Sequence, residues 1–232
     1  MEMLEIQSVL LPVPLGVARV VSVEGNYIDR KPYFSDTEWM RYQKKSFKTK
    51  NSWLLGRLAV KKIMVELYGD SSVAGYSRAT VEFNQSTKRL VAHWDGQPCS
   101  EYRLSISHAR NEKALTVLVS AADCDGVGAD IEIVRSFSHG FVRRFCSPRE
   151  YAEWEIIPEE HKNSFITLMW CLKEAYRKAV GGSVLYVDPR ELCMVSYAES
   201  PSRFYPPDKS LQVFTHFDLQ AWSVVLYYNN IN

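Results

Sequence analysis

The stretch Trp170-Cys171-Leu172-Lys173-Glu174-Ala175-Tyr176-Arg177-Lys178, read with Val127-Gly128-Ala129-Asp130-Ile131-Glu132 upstream, decides the architecture. On a helix, residues four apart share a face, so Trp170, Glu174 and Lys178 line up as an aromatic anchor, a carboxylate and a cation. On a strand, residues two apart share a face, so Asp130 and Glu132 point the same way. Brought together, the two elements would gather three carboxylates beside an ammonium, a hard-cation site able to hold a phosphorylated ligand.

The rest of the chain limits what such a site can serve. With 232 residues, 46% hydrophobic and 24% charged, the composition is that of an ordinary globular protein of one large or two modest domains. A net charge of +1 gives no global field to draw the chain onto nucleic acid or an anionic membrane, so any phosphate binding must be local. The five cysteines, Cys99, Cys124, Cys146, Cys171 and Cys193, show no zinc-ligand or redox spacing and fit a reducing compartment. The first residues lack a basic region and their apolar run is broken by Pro12 and Pro14, so neither signal peptide nor membrane span is expected. A cytoplasmic location follows.

Along the chain, the segment from Val9 to Val23 feeds a sheet, its prolines confining any strand to an edge or a start. Ser35-Asp36-Thr37-Glu38 resembles a capping box ahead of a helix, followed by a basic surface run from Arg41 to Lys50. A largely buried helix is expected over 51–68, capped by Asn51 or Ser52 and stopped by Gly69, with Arg57 and Lys61 as cations on one stripe that require anionic partners. Strands are expected over 80–83, 90–93, 102–107 and 115–121, with a turn at Asp95-Gly96 and His108 at a strand end before Arg110-Asn111-Glu112. The small, acidic run 121–128 reads as a linker. Ser147, Pro148 and Glu150 announce a second capped helix, and a long helix over 163–180 ends at Gly181-Gly182. Further strands are expected over 192–197, 211–217 and 222–228, and no sequence-level repeat is seen.

Gly128-Ala129-Asp130-Ile131-Glu132 and Trp170-Cys171-Leu172-Lys173-Glu174-Ala175-Tyr176-Arg177-Lys178 closely resemble the two signature motifs of 4′-phosphopantetheinyl transferases, specifically the longer, surfactin-synthetase-activating kind. The 42 residues between Glu132 and Glu174 suit that family, as do Ser105-Ile106-Ser107-His108, Phe145-Cys146-Ser147-Pro148-Arg149-Glu150 and Leu54-Leu55-Gly56-Arg57, all in the family's order. The resemblance implies Mg²⁺-dependent transfer of the phosphopantetheine arm of coenzyme A to a serine of an apo carrier protein (acyl, polyketide or peptidyl), releasing adenosine 3′,5′-bisphosphate. It implies Asp130, Glu132 and Glu174 as metal ligands and Lys178 as a further positive charge in catalysis. Glu150 or Glu174 is the implied base, and Arg57, Lys61, Ser107, His108 and Lys178 the contacts to coenzyme A. Ala129 departs from the family's usual Val or Ile, and Gln97 stands where many members carry a basic residue.

Simpler readings stand beside these. Glu174 with Lys178 is also an i,i+4 ion pair, Asp130 and Glu132 also suit the wet face of a strand, and a capping box with Ser147 explains Glu150 without catalysis. Arg57 and Lys61 could pair with internal acids such as Glu66, and Phe141-Val142-Arg143-Arg144 suits either an acidic carrier or a core helix. The expected fold is α/β (α+β): two pseudo-twofold-related halves, 1–122 and 123–232, each a small, mainly antiparallel sheet with a long helix. Coenzyme A phosphates fall to the first half and Mg²⁺ and catalysis to the second, with the active site in the cleft between them. A monomer without nucleic-acid or membrane partners is expected. Two alternatives use the same residues: a non-enzymatic coenzyme A or carrier-binding module, and another Mg²⁺-dependent enzyme acting on a pyrophosphate.

Overall fold

The computed structural model describes residues 5–13, 16–24, 31–87, 89–109, 113–122, 124–181, 188–192, 211–217 and 220–227. The chain divides into two compact units, Met1–Val127 and Gly128–Asn232. Both are mixed α/β with small sheets. No helix among the described residues is long and apolar enough to cross a membrane.

In the first unit, β1 (Glu5–Val13) and β2 (Gly16–Glu24) form a hairpin that continues through β7 (Lys113–Ser120) to β6 (Tyr102–Ala109), all antiparallel, in the order β1-β2-β7-β6. Pro12 therefore sits on an edge strand, where the missing N–H disturbs one ladder at most. A second sheet joins β3 (Ala79–Asn84), β4 (Arg89–Trp94) and β5 (Gln97–Pro98). Asp95 and Gly96 both have positive φ, 50° and 75°, the primed-turn geometry that matches strand twist in a two-residue hairpin.

One helix covers the larger sheet and a shorter one packs against it. Helix α1 (Asp36–Gln43) opens with the expected capping box of Ser35 and Glu38. Helix α2 (Phe47–Leu67) buries Leu54, Leu55, Leu58, Ala59, Ile63 and Met64 against Val21, Val23, Ala114 and Leu118. Each such large side chain contributes about 1.5–3 kcal/mol. The helix starts four residues before Asn51, because Ser46 is the extended residue; its first turn is exposed and carries no apolar pattern to reveal it. A short helix, α3 (Val73–Arg78), follows.

The second unit has β8 (Gly126–Ile133), then α4 (His139–Phe145), α5 (Pro148–Ile156), α6 (Glu159–Val180) and a hairpin of β9 (Leu211–Phe217) and β10 (Gln220–Tyr227), with sheet order β8-β10-β9. The last residues of the expected linker are therefore strand. Helix α6 begins at Glu159 rather than Asn163, its polar first turn favoured by Glu159 and Glu160 at the positive end of the helix dipole. The segment 139–145 is a helix that buries Val142 and Phe145 and leaves Arg143 and Arg144 exposed. The strand expected over 192–197 lies, beyond Leu192, outside the described residues, as does the turn at Arg110-Asn111-Glu112.

A correspondence that no run of similar sequence reveals links the two units. Both units place a Ser–Glu capping box ahead of a long helix, and in both the capping glutamate meets a buried lysine 23 residues later: Glu38 with Lys61, Glu150 with Lys173. The helices then close on Gly69 and Gly181, with φ of 68° and 67°. All four correspondences keep one offset of 112 residues, a regularity hidden because the intervening side chains differ.

Candidate functional site

Two glycines set the site's geometry. A Cβ on Gly128 would lie 1.8 Å from the carbonyl oxygen of Ala175 and 2.7 Å from the amide nitrogen of Ala179. Only glycine lets β8 come this close to α6, and the facing residues, Ala175 and Ala179, are small and buried. Two residues along the strand, this approach presents Asp130 to Lys178. The ammonium donates to Asp130 Oδ1 at 2.7 Å and to the Ala129 carbonyl at 2.9 Å. Asp130 is 6% exposed, so the carboxylate owes its tolerance of burial to that partner.

Glu174, one turn before Lys178, does not pair with it. Its Oε1 accepts from Arg177 Nη1 at 3.0 Å, with the two side chains 28% and 17% exposed. The i,i+4 pair suggested by the sequence is thus replaced by an i,i+3 pair and a strand–helix pair. Among the described residues, no three His, Cys, Asp or Glu side chains are gathered as a metal centre, the three expected carboxylates included. Attraction to neighbouring cations accounts for two of them: Lys178 holds Asp130 and Arg177 holds Glu174.

Trp170 anchors the helix as expected, its ring stacked on Phe145 at 5.1 Å and tilted against Phe141 at 5.8 Å. Cys171, fully buried on the same helix, is hydrogen-bonded to Asp130. Burial, then the Asp130 and Glu132 carboxylates, hold its thiol well above the ordinary value, so it stays protonated and donates to Asp130.

Glu150 was open between a cap and a catalytic base, and its geometry is that of the cap. Its Oε2 accepts from the Ser147 amide at 2.8 Å and from Lys173 Nζ at 2.6 Å, and neither side chain has exposed surface. Lys173 also donates to the carbonyls of Phe145 and Pro189, at 3.1 and 2.7 Å, tying α4, α5 and the segment after α6 together. A carboxylate so enclosed offers no accessible oxygen to a substrate hydroxyl.

In the first unit, Lys61 is likewise fully buried. It pairs with Glu38 at 2.8 Å and donates to the carbonyls of Tyr76 and Ala79. Burial lowers its pKa, opposed by Glu38. This corrects its assignment as a phosphate contact: all three donors of the ammonium are engaged, and none reaches solvent. Its acid is Glu38 and not Glu66, which pairs with Lys62 at 2.9 Å.

Arg57 is different. Its guanidinium stacks over Trp53 at 4.8 Å, burial lowers its pKa to about 10 against the pull of Glu38, and its buried Nε has no hydrogen-bond partner among the described residues. The side chain therefore remains cationic at neutral pH with a donor to spare.

The second glycine is Gly56, where a Cβ would lie 2.5 Å from His108 Cε1. The glycine before Arg57 is what lets the His108 ring lie on α2. His108 is the last-but-one residue of β6, paired with Ala114, so it stands at a strand end as expected. Ser107, buried, is its neighbour on the strand, so the two side chains leave opposite faces and cannot grip one phosphate together.

Sequence reasoning named Glu38 only as a cap and gave no role to Gly56, Gly128, Lys173 or Arg177. The capping glutamates and their equally spaced lysines carried a usable signal. The glycine contacts carried none, because a close approach across the fold has no local pattern.

Residues 126–223 match the family model of the 4′-phosphopantetheinyl transferase superfamily. Among curated proteins, the chain is 28% identical over 119 residues to the 4′-phosphopantetheinyl transferase ffp of Bacillus subtilis, covering 50% of this chain and 51% of that one. It is 29% identical over 122 residues to the 4′-phosphopantetheinyl transferase HetI of Nostoc sp. (strain PCC 7120), covering 52% and 50%. The chain thus spans about half the length of the curated relatives it matches. Among solved structures, the holo-[acyl-carrier-protein] synthase of Thermotoga maritima aligns with 45% of this chain and 64% of its own, at a TM-score of 0.39 and 19% identity. Residues 126–223, which hold Asp130, Glu132, Glu174 and Lys178, are thus the part of the chain that matches the 4′-phosphopantetheinyl transferase superfamily.

Proposed function

We propose that this protein transfers the 4′-phosphopantetheine arm of coenzyme A to a serine hydroxyl of an apo carrier protein, releasing adenosine 3′,5′-bisphosphate, with Mg²⁺ held by Asp130, Glu132 and Glu174. The observation that supports this most is the contact of Gly128 with Ala175 and Ala179, which sets the Asp130 strand against the Glu174–Lys178 helix inside the family-matched segment.

Carboxylate oxygens are the donor set Mg²⁺ prefers, with substrate phosphates and water completing its shell. The partners of Asp130 and Glu174 are cations with exposed surface, so both can be exchanged for a divalent ion. When bound, the ion supplies charge neutralisation at the bridging and leaving oxygens of the diphosphate. Lys178, released from Asp130, contacts a phosphate oxygen. Of the two carboxylates considered as base, Glu174 has exposed surface and Glu150 has none, so Glu174 takes the serine proton. Arg57, whose guanidinium is cationic, and His108 serve the phosphates of coenzyme A, while Lys61 and Glu150 hold the fold.

Incubation with coenzyme A, Mg²⁺ and several apo carrier proteins, followed by intact-mass measurement of each carrier, tests this. A mass gain equal to the phosphopantetheine arm is expected. If every carrier keeps its mass while a control transferase loads it, the transfer reading is lost. Hydrolysis of coenzyme A without carrier loading would favour a pyrophosphate-acting enzyme instead.

A further inference from the structure

Arg177 belongs to none of the roles above, yet its Nη1 donates to Glu174 Oε1 at 3.0 Å. The pair is only partly solvated, with Arg177 17% exposed and Glu174 28%, so water screens it less than an ordinary surface pair. We infer that Arg177 is the internal counter-ion of Glu174, and that a divalent cation gains this carboxylate only by displacing the guanidinium. This rests on the reading of Asp130, Glu132 and Glu174 as the metal-binding set.

The physical argument has two steps. A cation arriving beside Glu174 meets a carboxylate already neutralised and a fixed positive charge next to it, so the ion binds more weakly than the carboxylates alone would allow. Once displaced, the partly buried guanidinium needs a new anion, and a diphosphate suits its planar fork. Arg177 therefore opposes cation binding in the absence of substrate and favours it in the presence of a diphosphate. The two ligands then bind cooperatively, because each removes a cost the other would face. Lys178 makes the corresponding contact on the other element, donating to Asp130 and to the Ala129 carbonyl.

The test uses the full chain and titrates Mn²⁺, followed by the loss of free-ion electron paramagnetic resonance signal, with and without inorganic pyrophosphate. Arg177→Gln keeps a good helix former at a partly exposed helix position, and Arg177→Lys keeps the charge. Without pyrophosphate, Arg177→Gln is expected to bind Mn²⁺ about tenfold more tightly than wild type, with Arg177→Lys within about twofold. Pyrophosphate should then strengthen Mn²⁺ binding less in Arg177→Gln than in wild type. If wild type binds Mn²⁺, Asp130→Asn abolishes it and Arg177→Gln is unchanged or weaker, the counter-ion role is refuted while the metal set stands. If neither wild type nor Arg177→Gln binds Mn²⁺, the metal set fails and the inference with it.

Discussion

Alanine at Gly128 would set a methyl group 1.8 Å from the Ala175 carbonyl oxygen. An unstrained carbon–oxygen contact needs about 3.3–3.6 Å, so strand and helix must part by about 1.5 Å. Both sides of this contact are backbone, and no rotamer can relieve it. A loss near the upper end for overpacked cores, about 3 kcal/mol, is expected. The same displacement would carry Asp130 from 2.7 Å to about 4 Å from Lys178, beyond hydrogen-bond range. Misplacement on that scale at a reacting centre costs roughly a hundredfold in rate. Urea denaturation gives the first quantity, and the rate of carrier loading gives the second. Gly140→Ala is the control: among the described residues nothing lies within 4 Å of its Cβ, and it sits in α4, so alanine should stabilise by about 0.5–1 kcal/mol. If Gly128→Ala is as stable and active as Gly140→Ala, β8 does not lie on α6 in the way described.

Three further outcomes follow from the same contacts. Lys173→Met strands a fully buried carboxylate and should cost about 3–5 kcal/mol, as should Lys61→Met; adding Glu38→Leu to Lys61→Met should recover part of the loss, and strict additivity in denaturation would refute the pairing. Asp130→Ala and Glu174→Ala should abolish carrier loading while leaving the far-ultraviolet circular dichroism unchanged, and near-normal loading by either would remove that residue from the site. Cys99, Cys124, Cys146 and Cys171 are buried free thiols, so a thiol reagent at pH 8 should reach them only after unfolding. Burial pushes Cys146 up to about 12 and Cys171 well above the ordinary 9.0. For a raised thiol, the native state keeps a proton that the unfolded chain releases above pH 9, so that stability falls as pH rises past this point. Cys171→Ala should show less of this alkaline decline; an equal decline in wild type and variant would refute the contribution.

Local signals were legible in the sequence and distant ones were not. Both capping boxes, the Asp95-Gly96 turn, the edge position of the Pro12 strand and the closing glycines of α2 and α6 each depend on a few neighbouring residues, and each appears where expected. Helix starts were missed at Phe47 and Glu159 because exposed first turns lack apolar periodicity. Asp130 and Lys178 could be placed on their elements, but which cation each acid takes depends on the approach permitted by Gly128, a tertiary fact. Lys61 shows the limit most plainly. A lysine on a buried helix demands an anion, and its sequence neighbours cannot say whether that anion is a ligand phosphate or Glu38 from another helix.

The 112-residue offset gives that limit a physical meaning. Lys61 and Lys173 do the same work in both units, each fastening a capping glutamate and two carbonyls, so their burial belongs to the frame and not to the chemistry. What differs at equivalent positions is then informative. Glu174 and Lys178 correspond to Lys62 and Glu66, the same two charges in reversed order, and in the first unit these pair directly with each other at 2.9 Å. Asp130 and Glu132 correspond to Ala18 and Val20 on β2, which bring no carboxylate to that strand. The first unit's helix therefore satisfies its own charges, whereas in the second Lys178 reaches across to the acidic strand and Glu174 is left to Arg177. One frame, used twice, keeps its charges closed within a helix in one copy and holds them in exchangeable pairs in the other, and exchangeable pairs are what a divalent cation and a diphosphate can displace.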